Sequence, residues 1–175
     1  MTKVEELALL AQCALADNRQ AFGKLVEAYQ PRVRRFLLNL TAGDESLTDD
    51  IAQETFLKAY VSIRGFRGMS SFSTWLYRIA YNEFVTIRRR EHPALPIDPE
   101  RTPEPMVDTA AGTEAAVTLR QALATLSDIE RTVVTLFYID DLPVKRVAQI
   151  TALPEGTVKS HLHRCKAKLA KAVKS

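Results

Sequence analysis

Between residues 91 and 113 the chain reads EHPALPIDPERTPEPMVDTAAGT, a run that holds five of its eight prolines. Proline lacks a backbone N–H and its ring clashes with the preceding helical turn, so neither a long helix nor a central strand passes through such a stretch. The run shows no helical or strand period. It reads as a linker over 93–112, partly extended and mobile. The 175 residues therefore divide into a unit at 1–92 and a smaller one at 113–175. At 46% hydrophobic the chain can bury a core.

Both flanking stretches carry helical period and no convincing strand. KVEELALLAQCALA (3–16) predicts a short amphipathic helix, and Asp17 with Gln20 predicts a capping box for the next one. Phe22, Leu25, Val26, Tyr29, Val33, Phe36, Leu37 and Leu40 follow the same period, with Pro31 marking a kink or a meeting of two helices. Ser46 with Asp49 predicts a start for the helix that runs to Ile63, and Gly65 and Gly68 bracket a turn before a long helix over 72–90. Past the linker, Ser127 and Glu130 form an S-x-x-E box, Asp140 and Asp141 a turn, and Pro143 a helix start. The expected class is all-α: two small helical domains joined by a flexible proline-rich linker.

The end of the chain is the most pointed stretch. PVKRVAQITALPEGTVKSHLHR places a short helix, a tight turn and a longer helix in succession, the spacing of a helix-turn-helix. Val158, Leu162, Cys165 and Leu169 give the longer helix one apolar stripe. From Lys159 onward it carries six Lys/Arg and no acid. Lys159, Ser160, His163 and Arg164 lie off the stripe, with side chains that reach phosphates and base edges. Charge distribution agrees: residues 113–175 hold 10 Lys/Arg against 6 Asp/Glu, while 93–112 hold 1 against 4. A basic end beside an acidic middle suits a polyanion partner.

A second constellation spans 66–90. Phe66, Phe72, Trp75, Tyr77, Tyr81 and Phe84 alternate with Arg64, Arg67, Arg78, Arg88, Arg89 and Arg90. Six aromatics in 19 residues exceed what the core of a unit this size needs. Cations beside aromatic platforms are what unstacked single-stranded bases require, and Ser70, Ser71, Ser73 and Asn82 add hydrogen-bonding groups for an extruded base. A third stretch, DDIAQETFLKAY (49–60), puts Asp49, Asp50, Gln53 and Glu54 on one helix face.

Other chemistry is unsupported. Cys13 and Cys165 lack metal or disulfide spacing, the three histidines join no nucleophile, and there is no phosphate-cradling glycine loop. Nothing implies a cofactor, a metal or an enzyme activity. No segment approaches a membrane span, so a soluble, reduced, cytoplasmic protein is expected, with no membrane insertion.

Taken together, DDIAQETFLKAY, FRGMSSFSTWLYRIAYNEFVTIRRR and LSDIERTVVTLFYIDDLPVKRVAQITALPEGTVKSHLHRCKAKL resemble an extracytoplasmic-function sigma factor of bacterial RNA polymerase over nearly the whole chain outside the linker. The resemblance implies roles. Asp49, Asp50, Gln53, Glu54 and Phe56 match the segment that docks core polymerase on the clamp helices of its largest subunit; the flap is a second expected contact. Met69, Ser70, Ser71, Phe72 and Trp75 match the loop that captures a flipped minus-ten base, and Met69 stands where the family often has an acid. Tyr77, Arg78, Asn82, Arg88, Arg89 and Arg90 flank the melted strand and upstream duplex. Thr157, Lys159, Ser160, His163 and Arg164 match the minus-thirty-five readers. The partners implied are core polymerase, promoter DNA in duplex and single-stranded form, and an anti-sigma factor. The alternative is a helix-turn-helix regulator of the response-regulator output type, which normally carries an α/β receiver. An adaptor using only the 49–60 face would leave the arginines and aromatics of 66–90 unexplained.

Overall fold

The computed structural model describes residues 1–91 and 114–174; the linker expected at 93–112 lies outside them. The chain runs α1 (Lys3–Ala16), α2 (Arg19–Leu40), α3 (Glu45–Ser62), a 3-10 turn (Ile63–Gly65), α4 (Phe72–Glu91), α5 (Glu114–Ala124), α6 (Asp128–Val134), a π segment (Thr135–Ile139), α7 (Val144–Thr151) and α8 (Glu155–Lys174). No strand occurs among the described residues. None of their helices is long and apolar enough to cross a membrane.

Several helix starts differ from the sequence expectation. Asn18 caps α2, its side chain accepting from the N–H groups of Gln20 and Ala21. Asp17 instead ends α1 in the left-handed conformation at φ 48°. Asp44 caps α3 through the Leu47 N–H, not Ser46. Pro31 sits inside one assigned helix, α2, rather than between two. Ser127 and Glu130 do form the reciprocal capping box. The turn between α7 and α8 is three residues, Ala152 to Pro154, opened by Ala152 at φ 57°.

α2, α3 and α4 pack on one another, with α1 along α2; α5, α6 and α7 pack on α8. The two groups also touch. α7 lies on α4, and α6 with the π segment lies on α2. One apolar cluster runs through both, from Phe36, Leu40, Leu76 and Phe84 to Val133, Leu136, Val147 and Ile150. Arg131, 1% exposed, braces the junction. Its guanidinium donates to the carbonyls of Leu123 (3.0 Å), Leu126 (2.9 Å) and, across the junction, Leu40 (2.7 Å). Burial lowers its pKa, with Asp128 opposing. Two further ion pairs cross: Arg88 Nε to Asp128 Oδ2 at 3.2 Å, and Arg35 to Asp140.

Candidate nucleic-acid interface

The apolar stripe of α8 sets its outward face. Val158, Leu162 and Cys165 are buried against α6 and α7. That leaves Lys159, Ser160, His163 and Arg164 exposed and Thr157 half-buried. Ser160 donates to the Gly156 carbonyl at 3.0 Å. His161 is buried instead, and its Nδ1 lies 3.1 Å from an Arg164 guanidinium nitrogen. That contact holds one edge of the fork while the side chain stays exposed. Lys168 turns inward and clamps both Glu130 carboxylate oxygens at 2.8 and 2.9 Å. The Cys165 thiol is pushed up to about 11 by burial and by Glu130, which keeps it an inert core residue.

Residues 66–90 do not all face outward. Phe72, Tyr77 and Phe84 are core. Phe72 stands edge-on to Tyr29 at 5.2 Å, and Tyr77 edge-on to Phe36 at 5.0 Å. The aromatic surplus read from the sequence is thus half accounted for by packing, and Phe72 and Tyr77 present no stacking face here. Phe66 and Trp75 lie half-buried above Phe72, with centroids 5.2 Å apart. They line a recess of about 350 Å³ with Arg67, Met69, Ser70 and Arg78. Gly68 at φ 68° lets the loop turn over it. Met69 is 89% exposed. Ser71 serves the helix start, its hydroxyl accepting from the Thr74 N–H at 3.2 Å. Arg78, Asn82, Arg89 and Arg90 are exposed along α4, while Arg88 is shared between Asp128 and Glu91. Tyr81 is pushed up to about 12 by burial and by Asp128, with Arg89 opposing. Sequence reasoning missed Gln149, which reaches the recess from α7.

On α3, Asp49, Asp50, Gln53 and Glu54 are exposed and Phe56 is half-buried. Arg34 of α2 bonds Asp49 at 2.7 Å and pairs with Glu45 at 3.5 Å. Between α2 and α3 runs a groove of about 760 Å³ whose lining includes Phe22, Val26, Arg34, Gln53, Phe56 and Leu57. No cluster of metal-ligating residues occurs among the described residues.

Helices without strands among the described residues, a cationic helix-turn-helix and an arginine-flanked aromatic recess together are the build of a sigma-70-type initiation factor. Residues 25–93 match Sigma-70 region 2, and residues 116–169 match Sigma-70, region 4. The ECF RNA polymerase sigma factor SigW of Bacillus subtilis is 32% identical over 174 residues, covering 90% of this chain and 91% of SigW. The ECF RNA polymerase sigma-E factor of Haemophilus influenzae is 32% identical over 166 residues, covering 85% of each. The chain belongs to the extracytoplasmic-function sigma factors, and is an alternative sigma factor for promoter-specific transcription initiation. The fold recurs in CnrH, solved in complex with the cytosolic domain of CnrY (TM-score 0.74, 22% identity, 97% of each chain). It recurs also in the sigma factor RpoE of Bartonella quintana, solved with the anti-sigma factor NepR (TM-score 0.69, 23% identity, 87% of this chain and 96% of that one).

Proposed function

We propose that residues 113–175 read the minus-thirty-five duplex, residues 1–92 dock core polymerase and open the minus-ten element, and the 93–112 linker sets the reach between them. The observation that carries this is the pairing of two unlike surfaces on one chain. α8 presents Lys159, Ser160, His163 and Arg164 outward, as major-groove reading requires. The Phe66–Trp75 recess offers ring faces beside Arg67 and Arg78, as an extruded base requires. Ser70 and Asn82 supply polar contacts there, and Arg89 and Arg90 meet the upstream phosphates. The α2–α3 groove, with Asp50, Gln53, Glu54 and Phe56, takes the clamp helices of the largest subunit.

Neither DNA contact has to be tight alone. Polymerase holds both units at a fixed separation, so the second contact is intramolecular. Extruding a base costs a few kcal/mol and is offset by stacking of about 1–3 kcal/mol per base. The chain performs no covalent chemistry and works in the cytoplasm. An anti-sigma factor is its expected inhibitor, as NepR is an anti-sigma factor found with the RpoE neighbour. The described residues contain no strand and hence no α/β receiver, which leaves the response-regulator alternative without support.

Run-off transcription with core polymerase on a promoter library tests this directly. Promoter-specific transcripts are expected only when both are present. Tight duplex binding by the chain alone, with no response to core, would refute it.

A further inference from the structure

His161 stands on the margin of the buried stripe of α8, where an aliphatic side chain would serve packing alone. It is 6% exposed. An imidazole buried there carries two ring nitrogens out of water, which is costly unless they find partners. One partner is Arg164, three residues on and so on the same side of the helix. An Arg164 guanidinium nitrogen lies 3.1 Å from His161 Nδ1. A guanidinium only donates, so Nδ1 must accept. That fixes the ring as neutral, with its proton on Nε2. The contact takes one N–H of the fork. Arg164 as a whole is exposed, on the outward face with Lys159, Ser160 and His163.

We propose that His161 is a positioning residue: it sets the plane of the Arg164 guanidinium so that the outer edge of the fork meets the O6 and N7 acceptors of one guanine in the minus-thirty-five duplex. This rests on reading α8 as the major-groove helix. Bidentate recognition needs two parallel N–H groups at a fixed angle, and guanine is the base whose major-groove edge offers two acceptors. An arginine in water samples many rotamers. One anchored on a buried ring has given up most of them before DNA arrives, so binding loses less freedom. The chemistry of the anchor also fits. A carboxylate in its place would pair with Arg164 and offset the charge that phosphates attract, whereas a neutral ring nitrogen orients the fork and leaves its charge intact. Ser160 by contrast bonds the Gly156 carbonyl, and Lys168 is turned to Glu130, so neither bond aims a reader.

Two independent measurements on the full chain test the proposal. Long-range nitrogen–proton correlation spectra of the free chain at neutral pH report the His161 tautomer, with His161→Asn identifying its peaks. A ring protonated on Nε2 is expected; a proton on Nδ1 overturns the proposal. Polymerase holoenzyme is then offered competing promoters that differ only at the minus-thirty-five position where Arg164→Ala loses discrimination. The parent chain should favour guanine there by about tenfold or more. His161→Leu fills the space but accepts nothing. It should cut that preference to about threefold or less and leave the salt slope of binding unchanged, because the Arg164 charge stays. His161→Asn, whose amide oxygen can stand where Nδ1 does, should keep the preference near that of the parent. A packing role alone would not separate the two variants. Equal loss in both, or no loss in either, overturns the proposal, as does a preference for another base at that position. If Arg164→Ala changes no base preference, it is α8 itself that has been misread, and the proposal falls with that reading.

Discussion

α4 and α8 are both 20 residues long, and each carries one of the two proposed reading surfaces, yet they are exposed very differently. α8 buries a single stripe and leaves its readers in solvent. α4 buries Leu76, Ala80 and Phe84 in its own unit and rests Tyr77 and Tyr81 near the C-terminal one. The difference follows from what each surface reads. Duplex base edges are already displayed in the major groove, so a protruding cationic helix suffices, and water tolerates it. Unstacked bases need ring faces, and exposed rings are costly in water. A duplex reader can wait in solvent.

The largest expected effect removes the brace between the two surfaces. Arg131→Met removes three hydrogen bonds to buried carbonyls and should lower unfolding free energy by about 3–5 kcal/mol, read from urea melts. A loss under about 1 kcal/mol would mean that water already reaches those carbonyls. Next come paired substitutions that ought to separate the surfaces. Trp75→Ala should cost about 1–3 kcal/mol in open-complex formation and spare upstream duplex contacts. Arg164→Ala should cost about 1–3 kcal/mol in minus-thirty-five discrimination and spare melting once the complex forms. Permanganate reactivity of opened thymines reads the first, and competition between promoter variants the second. If each substitution damages both steps equally, the two-surface picture falls.

Acid should act on the two regions with opposite signs. Burial pushes Glu130 up, but its bonds from Lys168 and the Ser127 N–H outweigh that and hold it below the ordinary glutamate value. Its stabilisation is present above that ordinary value and drains as pH falls from there through the lowered one. Asp140 is raised by burial, so its contribution to the junction with α2 is full below the ordinary aspartate value and is lost as pH rises through the raised one. Protection factors of α8 amides, taken against intrinsic exchange at each pH, should therefore fall on acidification while scattering reports a tighter junction; the same trend in both would contradict the assignment. The smallest effect belongs to Lys159→Ala, which should lower the salt slope of duplex binding by about 1.

Much of this was legible in the chain. The 3.6-residue period announced each long helix, and Ser127 with Glu130 formed the box that their spacing demands. Cap positions failed where two capping types stood together: Asp17 and Asn18 are neighbours, and only the backbone shows that the first ends α1 while the second begins α2. For the α8 readers, one apolar stripe defines its opposite face. On α4 the same logic overcounted free aromatics, because its rings are covered from two directions and only one belongs to a local pattern. Arg131 was invisible for a related reason. In sequence it is a charge beside a cap, and the Leu40 carbonyl that it binds is 91 positions away. Gln149 and His161 act through neighbours that periodicity does not name.

The π segment at Thr135–Ile139 carries a consequence at the level of the gene. Its wide turn, closed by the Asp140 N–H on the Thr135 carbonyl at 2.9 Å, sets the angle at which everything after it leaves α6. Deleting one codon there would restore ordinary helical winding and rotate the following residues by about 100°. Charge and composition would hardly change, and the helix-turn-helix would keep its own core. Asp140 would swing away from Arg35, and α7 would no longer meet α4 in register. Such a deletion is a phase error, and it would yield a chain whose two helical groups each keep their own core but no longer meet in register.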